Sequence, residues 1–441
     1  MQNWTDTEGC SEGVHCGTCR DRGEAGRKWR ASLAAHFALP GREADFDCPH
    51  GKPWDFKPDP APEAQRAPER VSEGQPLPAC DYRKPSGYKS PCCTFYKCKL
   101  RGQRVSEKVC RHCGRMADPA EFKGQIVVLL PVRNEGPRAH ASIPEVVMTI
   151  RDLRKQKAPG TDLRFAVVDD CSEDGCCSTL ATAKDVTLWR SHRPQGQGIA
   201  RNLGVLAFPD ARGYVSLDAH MRMETQYGLE RLVLDAEATG GIVGCMSHNL
   251  AKRDGKRGGI MQGAGSKWHT STKGGIMNFN SNWCYARHLA KEPPLKEVAL
   301  LSGQCYVFTR KWYDQVGGFN ETLGLYGFFE RDLCINCYFQ KLPVLVNPRV
   351  QSWHWYRKDR PYEMTNIWRW YGYVQCLRSM FRPDVWESTF LPKVEGAQKR
   401  LNDPVLGFLL RDPHIDVLQA AFERKKKRTD EEVLEWMGMS Q

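Results

Sequence analysis

Between residues 126 and 220 three apolar runs recur, and each closes on a residue of different character. Ile126-Val127-Val128-Leu129-Leu130 ends at Pro131, Phe165-Ala166-Val167-Val168 ends on Asp169-Asp170, and Val215-Ser216-Leu217 ends on Asp218-Ala219-His220. Runs this short, apolar on both alternating faces, suit strands covered on both sides of a sheet, which is the usual condition of parallel strands. An amphipathic helical pattern at 143–157 separates the first two runs. A strand at 187–191 and a helix at 198–208 precede the third, at Gly213–Leu217. Strand–helix–strand order with right-handed crossovers predicts an α/β domain with a Rossmann-like, mostly parallel sheet, whose ligands sit at the carboxyl ends of the strands. Asp169, Asp170, Asp218 and His220 are thereby expected in one crevice.

Asp218 and His220 lie two residues apart at a strand end, so both side chains point to the same side. A carboxylate and an imidazole make half a site for a borderline divalent cation such as Mn²⁺, with Mg²⁺ the alternative cofactor. An isolated Asp-x-His is more often an ordinary strand end, so the rest of the chain decides.

At 441 residues the chain is long enough for two or three domains. Its segments read as a Cys/His module at 1–58, a Pro-rich linker at 59–79, a basic Cys module at 80–120, the α/β domain at 121–380, and a helical extension at 381–441. No run of about 18 apolar residues suggests a membrane span. The amino-terminal residues lack the basic and apolar regions of a secretion signal, so the expected location is cytoplasmic. The net charge of +12 favours an anionic partner.

Ten of nineteen cysteines fall at or before position 113: Cys10, Cys16, Cys19, Cys48, Cys80, Cys92, Cys93, Cys98, Cys110 and Cys113. Clustered cysteines in a reducing compartment, with Cys16-x2-Cys19 and Cys110-x2-Cys113 knuckles, point to one or two structural Zn²⁺ sites. Cys92 and Cys93 compete for one position, so the ligand sets stay open. Residues 80–115 carry ten Lys/Arg against Asp81 and Glu107, interleaved with Tyr82, Tyr88, Phe95 and Tyr96. Basic and aromatic residues on one small scaffold suit phosphate contact and base stacking.

Pro131-Val132-Arg133-Asn134-Glu135, Val168-Asp169-Asp170-Cys171-Ser172, Gly198-Ile199-Ala200-Arg201-Asn202, Leu217-Asp218-Ala219-His220 and His354-Trp355-Tyr356-Arg357-Lys358 follow one another in order. This series resembles GT-A glycosyltransferases, above all the polypeptide N-acetylgalactosaminyltransferases, whose metal motif is also Asp-x-His. The resemblance implies a UDP-sugar donor, an Mn²⁺ held by Asp218, His220 and His354, and donor contacts from Pro131, Arg133, Glu135, Asp169, Asp170, Arg201, Asp218, Arg357 and Tyr362. Tyr326-Gly327-Phe328-Phe329 stands where those enzymes carry Trp-Gly-Gly-Glu, so an aromatic replaces a carboxylate that contacts the donor sugar. Glu330 follows where inverting relatives carry their base, with Asp332 beyond it; these two are the catalytic candidates, and retention or inversion stays open. Cysteine-rich modules joined to such a domain resemble bacteriophage glycosyltransferases. That likeness implies a DNA acceptor, a hydroxymethylpyrimidine such as 5-hydroxymethylcytosine, in a host cytoplasm. Ser/Thr of a protein or a small molecule is the alternative acceptor, and a non-catalytic nucleic-acid-binding protein the second alternative.

Overall fold

The computed structural model describes residues 118–137, 142–250, 257–263, 265–267, 282–283, 295–325, 327–357, 366–401, 410 and 412–439, with the strands at 83–90, 93–98 and 103–106. Those three, β1 (Arg83–Ser90), β2 (Cys93–Cys98) and β3 (Gln103–Ser106), form an antiparallel sheet in the order β1-β2-β3. Cys93 and Cys98 stand at the two ends of β2. Cys10, Cys16, Cys19, Cys48, Cys80, Cys92, Cys110, Cys113 and Tyr362 lie outside the described residues.

The α/β unit opens with β4 (Gly124–Val132), α1 (Glu145–Gln156), β5 (Thr161–Asp169) and β6 (Val186–Arg190). It continues through α2 (Gln197–Ala207), β7 (Gly213–Leu217), β8 (Met221–Met223), α3 (Gly228–Thr239) and β9 (Ile242–Leu250). Short strands follow: β10 (Arg257–Gly263), β11 (Ser266–Lys267), β12 (Asn282–Trp283) and β13 (Lys296–Glu297). Then come β14 (Cys305–Phe308), α4 (Arg310–Val316), α5 (Phe329–Phe339) and β15 (Val344–His354). Ten strands make one mixed sheet, ordered β13-β15-β9-β14-β7-β4-β5-β6, with β10 paired to β9 and β8 to β15. β4 to β7 run parallel, β14 is antiparallel to both its neighbours, and β15 is parallel to β9.

The expected α/β class is the observed one. The chain winds outward from β4 to β5 and β6, then crosses back to lay β7 on the other side of β4. Such a reversal of winding opens a crevice at the carboxyl ends of the two central strands. Both sheet faces are covered, as the apolar runs require: Ile126, Val128, Leu130 and Val132 of β4 enter one core with α1 and α3, while Val127 and Leu129 enter the other with α2, α4 and part of α5.

The carboxyl-terminal segment is α6 (Asn366–Met380), α7 (Leu391–Leu401), α8 (Pro413–Glu423) and α9 (Asp430–Trp436). It is no free tail. Tyr373, Leu377, Phe381, Phe390, Ile415 and Val433 share a third core with Phe329, Ile335 and Phe339 of α5. That helix is therefore apolar on two sides, because it lies between two cores rather than on a surface.

The amino end of α2 is pressed against the chain before α5. A Cβ added at Gly198 would lie 2.5 Å from the carbonyl oxygen of Asn320, a main-chain atom that cannot rotate away. Gly198→Ala is expected to destabilise the protein by about 1–3 kcal/mol, read from the urea midpoint; an unchanged midpoint would show the contact to be pliable.

Candidate functional site

Asp218 is the first residue beyond β7, and its amide donates to the carbonyl of Gln304, 2.9 Å away at the start of β14. The chain turns through Ala219 and His220 into β8, whose Met221 pairs with His354 at the end of β15. The Trp355 amide donates to the His220 carbonyl at 3.3 Å, extending that pairing past the strand. Backbone register thus carries His354 to the Asp-x-His turn. Its Nε2 lies 3.1 Å from Asp218 Oδ2, and the His220 and His354 ring centres are 4.7 Å apart. Ligand atoms of Asp218, His220 and His354 all fall within 4.8 Å of one another, as a single cation requires.

Burial pushes the His354 imidazole below its ordinary pKa, with the charges of His220 and Arg357 adding to the effect and Asp218 opposing it. For Asp218, burial acts upward but is outweighed by the His354 hydrogen bond and the charges of His354, His220 and Arg201, which hold the carboxyl at about 2. Near neutral pH the cluster therefore offers an ionised carboxylate and a neutral His354 imidazole, the forms that ligate a metal.

Behind His220 sits Glu135, 6% exposed. Its Oε2 is 3.2 Å from His220 Nδ1 and accepts from Arg357 Nη2, which itself lies 3.0 Å from His220 Nδ1. The Arg357 guanidinium lies over the Trp355 ring at 4.8 Å, and that indole meets His220 edge-on at 6.3 Å. Two loops fix Glu135 in place. Asn134, at φ 53°, donates its amide to Ser172 Oγ at 3.0 Å and accepts from the Glu173 amide at 2.8 Å. The Gly136 amide donates to Asp174 at 2.7 Å.

The other candidates spread around the same edge. Pro131 lies within β4 opposite Val168, and Arg133 follows the strand, its charge felt by Asp170. Asp170 accepts from the Gln195 and Gly196 amides at 2.6 and 3.1 Å, one on each oxygen, so it fastens the loop before α2 and keeps one further lone pair per oxygen. Burial raises its pKa, against the pull of those two bonds. Asp169 accepts from the Ser172 amide at 2.8 Å and faces Arg190 at 3.6 Å. Arg201 is buried among Tyr306, Phe319 and Phe329, 5.6 to 5.9 Å from their ring centres, and its Nε and Nη1 have no hydrogen-bond partner. Phe329 therefore packs on a guanidinium where the motif resemblance places a carboxylate.

Glu330 and Asp332 part company on α5. Glu330 reaches the loop that leads into β14: a Cβ on Gly303 would stand 2.3 Å from Glu330 Oε1, so any larger residue there would push this carboxylate out of its observed position. Gly303 was not among the sequence candidates, and a glycine in a loop gives no signal of which side chain it admits. Asp332 instead points into the interior, 3% exposed, accepting from Asn320 Nδ2 at 2.9 Å and from the Cys376 thiol.

Residues 127–292 match the profile of glycosyl transferase family 2. No curated protein sequence matches the chain. Among solved structures, GalNAc-T7 with UDP, GalNAc and Mn²⁺ superposes with a TM-score of 0.53 at 15% identity, covering 71% of this chain and 56% of that one. The chain thus spans just over half of that relative's length. Mannosyltransferase PcManGT from Pyrobaculum calidifontis with GDP-Man and Mn²⁺ gives 0.39 at 20% identity, covering 70% and 77%. S. aureus TarS with UDP-GlcNAc gives 0.39 at 13%, covering 69% and 72%. The α/β unit thus has a GT-A-like fold, and its first part resembles family 2 glycosyl transferases. Among the described residues no helix is long and apolar enough to cross a membrane.

Burial lifts the Asp332 carboxyl to about 7, against the bonds from Asn320 and Cys376. An unfolded aspartate titrates near 3.9, so the folded state holds the extra proton between those values. The stability this group contributes is complete below pH about 4 and is lost as pH rises towards 7, by up to about 4 kcal/mol. Asp332→Asn keeps the shape and removes the charge. Its unfolding free energy, relative to the parent, is expected to grow from pH 4 to pH 8; a constant difference would refute this assignment.

Proposed function

We propose that the protein transfers a sugar from a UDP-sugar to a hydroxyl acceptor, with Mn²⁺ or Mg²⁺ bound by Asp218, His220 and His354. The observation that carries this reading is the gathering of those three ligands beside Arg357, at the carboxyl ends of the central strands. One carboxylate and two imidazoles are a fitting donor set for a borderline cation. The bound ion supplies positive charge to the oxygens of the departing UDP. Arg357 serves the diphosphate, and Arg201 offers two unpaired donors from a buried position. Pro131, Arg133, Asp169 and Asp170 line the nucleotide end, and Tyr362 belongs with Arg357 on the donor side. Glu330 takes the proton of the acceptor hydroxyl as general base, an action that gives inversion if it operates by direct displacement. Asp332 supports α5 from inside.

The favoured acceptor is a hydroxymethylpyrimidine in DNA, in the manner of bacteriophage enzymes acting in a host cytoplasm. Its support is the basic, aromatic segment at 80–115, for which one or two Zn²⁺ ions on the cysteines of 10–113 are the proposed scaffold. The motif resemblance to polypeptide N-acetylgalactosaminyltransferases favours a second acceptor class, Ser/Thr hydroxyls.

Incubation with Mn²⁺, a panel of UDP-sugars and hydroxymethylcytosine DNA, followed by nucleoside mass spectrometry, is expected to show a hexose-sized mass gain. Transfer to peptide alone would reject the DNA acceptor, and transfer to nothing would reject the enzyme reading. Asp218→Ala and His354→Ala are expected to abolish turnover while DNA affinity stays within about twofold of the parent; full activity in both would reject the metal ligands. Glu330→Gln is expected to lower kcat by about 10²–10⁴-fold with donor KM little changed.

A further inference from the structure

We propose that Glu135 is a positioning residue that couples the cation site to the diphosphate site, by holding His220 and Arg357 through a single carboxylate oxygen. The inference rests on the metal-dependent reading above and extends it to a residue that the motif resemblance places among the donor contacts.

The geometry is a three-way contact. Glu135 Oε2, Arg357 Nη2 and His220 Nδ1 meet one another, with 3.2 Å from the carboxylate to the imidazole and 3.0 Å from the guanidinium to the imidazole. A neutral imidazole nitrogen either donates a hydrogen or accepts one, never both. In one arrangement Arg357 donates to Nδ1 as well as to Glu135. The ring hydrogen then sits on Nε2, and His220 has no lone pair left for a cation. In the other arrangement Nδ1 carries the hydrogen and donates it to Glu135. Nε2 is then bare and can ligate, while Arg357 loses its bond to His220.

These alternatives make the two binding events favour each other. A cation on Nε2 selects the second arrangement, which frees an Arg357 donor for phosphate oxygen. A phosphate that draws Arg357 away leaves Glu135 as the sole partner of Nδ1, which selects the same tautomer. Carboxylate–histidine–metal relays of this kind hold ring orientation, and their loss costs a factor of about 10–100 in metal affinity. Thermodynamic linkage then requires UDP to tighten Mn²⁺ binding by the same factor by which Mn²⁺ tightens UDP binding. Hydrogen bonds at Asn134 and Gly136 hold the backbone on both sides of Glu135, so the choice falls to the hydrogens and to Arg357.

The test uses the full chain and measures free Mn²⁺ by electron paramagnetic resonance, with and without UDP. Glu135→Ala is expected to weaken Mn²⁺ binding by about 10–100-fold and to reduce the UDP-dependent tightening to what the direct attraction between ion and diphosphate supplies. Glu135→Gln keeps an acceptor oxygen without the charge and is expected to fall between the alanine variant and the parent. A merely structural role would lower the melting temperature and spare the Mn²⁺ affinity of the folded protein. Parent-like Mn²⁺ affinity and coupling in Glu135→Ala, or in Glu135→Gln should the alanine variant not fold, would overturn the proposal while leaving the metal site standing. A parent protein that binds no Mn²⁺ would overturn both.

Discussion

The candidate site depends on the register of β15. This strand runs parallel to β9 along one edge and antiparallel to β8 along the other, and it brings His354 to a carboxylate 136 residues earlier. Side chains alternate along a strand, so a slip of one residue would turn His354 to the opposite face. The pairing is not uniform. Asn347 lies opposite Cys245, yet the next paired residue, Gln351, lies opposite Met246, so residues 348–350 are extruded from the ladder. Pro348 is among them, and a proline without an amide hydrogen belongs in such an interruption. Thr225 closes the gap, its hydroxyl accepting from the Gln351 amide at 2.8 Å and donating to the Arg349 carbonyl at 3.2 Å. The bulge therefore sets which face His354 presents, from a position several residues away from the site.

A second dependence runs through α5. One side of this helix joins the core beneath the sheet and another joins the core of the carboxyl-terminal helices. Glu330 at its first turn is thereby held from below by α6 and from beside by α2, whose glycine-containing start touches the chain that leads into α5. The buried Asp332 lies on the same turn, bonded to Asn320 on that approach and to Cys376 on α6. A carboxyl whose pKa burial lifts to about 7 is about half protonated at neutral pH, and its protonated form can join three segments without a counter-ion.

The strands and helices of the α/β unit were legible because their signals are local. The helix read at 143–157 is Glu145–Gln156, and the strand at 187–191 is Val186–Arg190. The chain order of strands also implied the crevice, since winding and handedness are general rules. The partner of each polar group was not legible. Asp170 reads as a free strand-end carboxylate, but it fastens two amides 25 and 26 residues away. Glu135 reads as a loop charge, but it meets groups 85 and 222 residues on. Asp332 follows Glu330 by two residues and so leaves a helix in nearly the opposite direction. Periodicity gives that divergence, yet not which of the two faces the interior when both sides of the helix are packed.

Charge balance connects the donor chemistry to the fold more closely than any one motif does. Around the Asp-x-His turn the structure sets two carboxylates, Asp218 and Glu135, against two guanidiniums, Arg201 and Arg357. Imidazoles aside, the sum is near zero, which is what a partly buried polar cluster can sustain without a ligand. A divalent cation arriving alone would leave about two uncompensated positive charges, and a diphosphate arriving alone would leave about two negative ones. Together they restore the balance, and each removes the electrostatic cost of the other. A cluster so composed would favour the pair over either component, which is the physical basis of the coupling proposed for the Glu135 contact with His220 and Arg357.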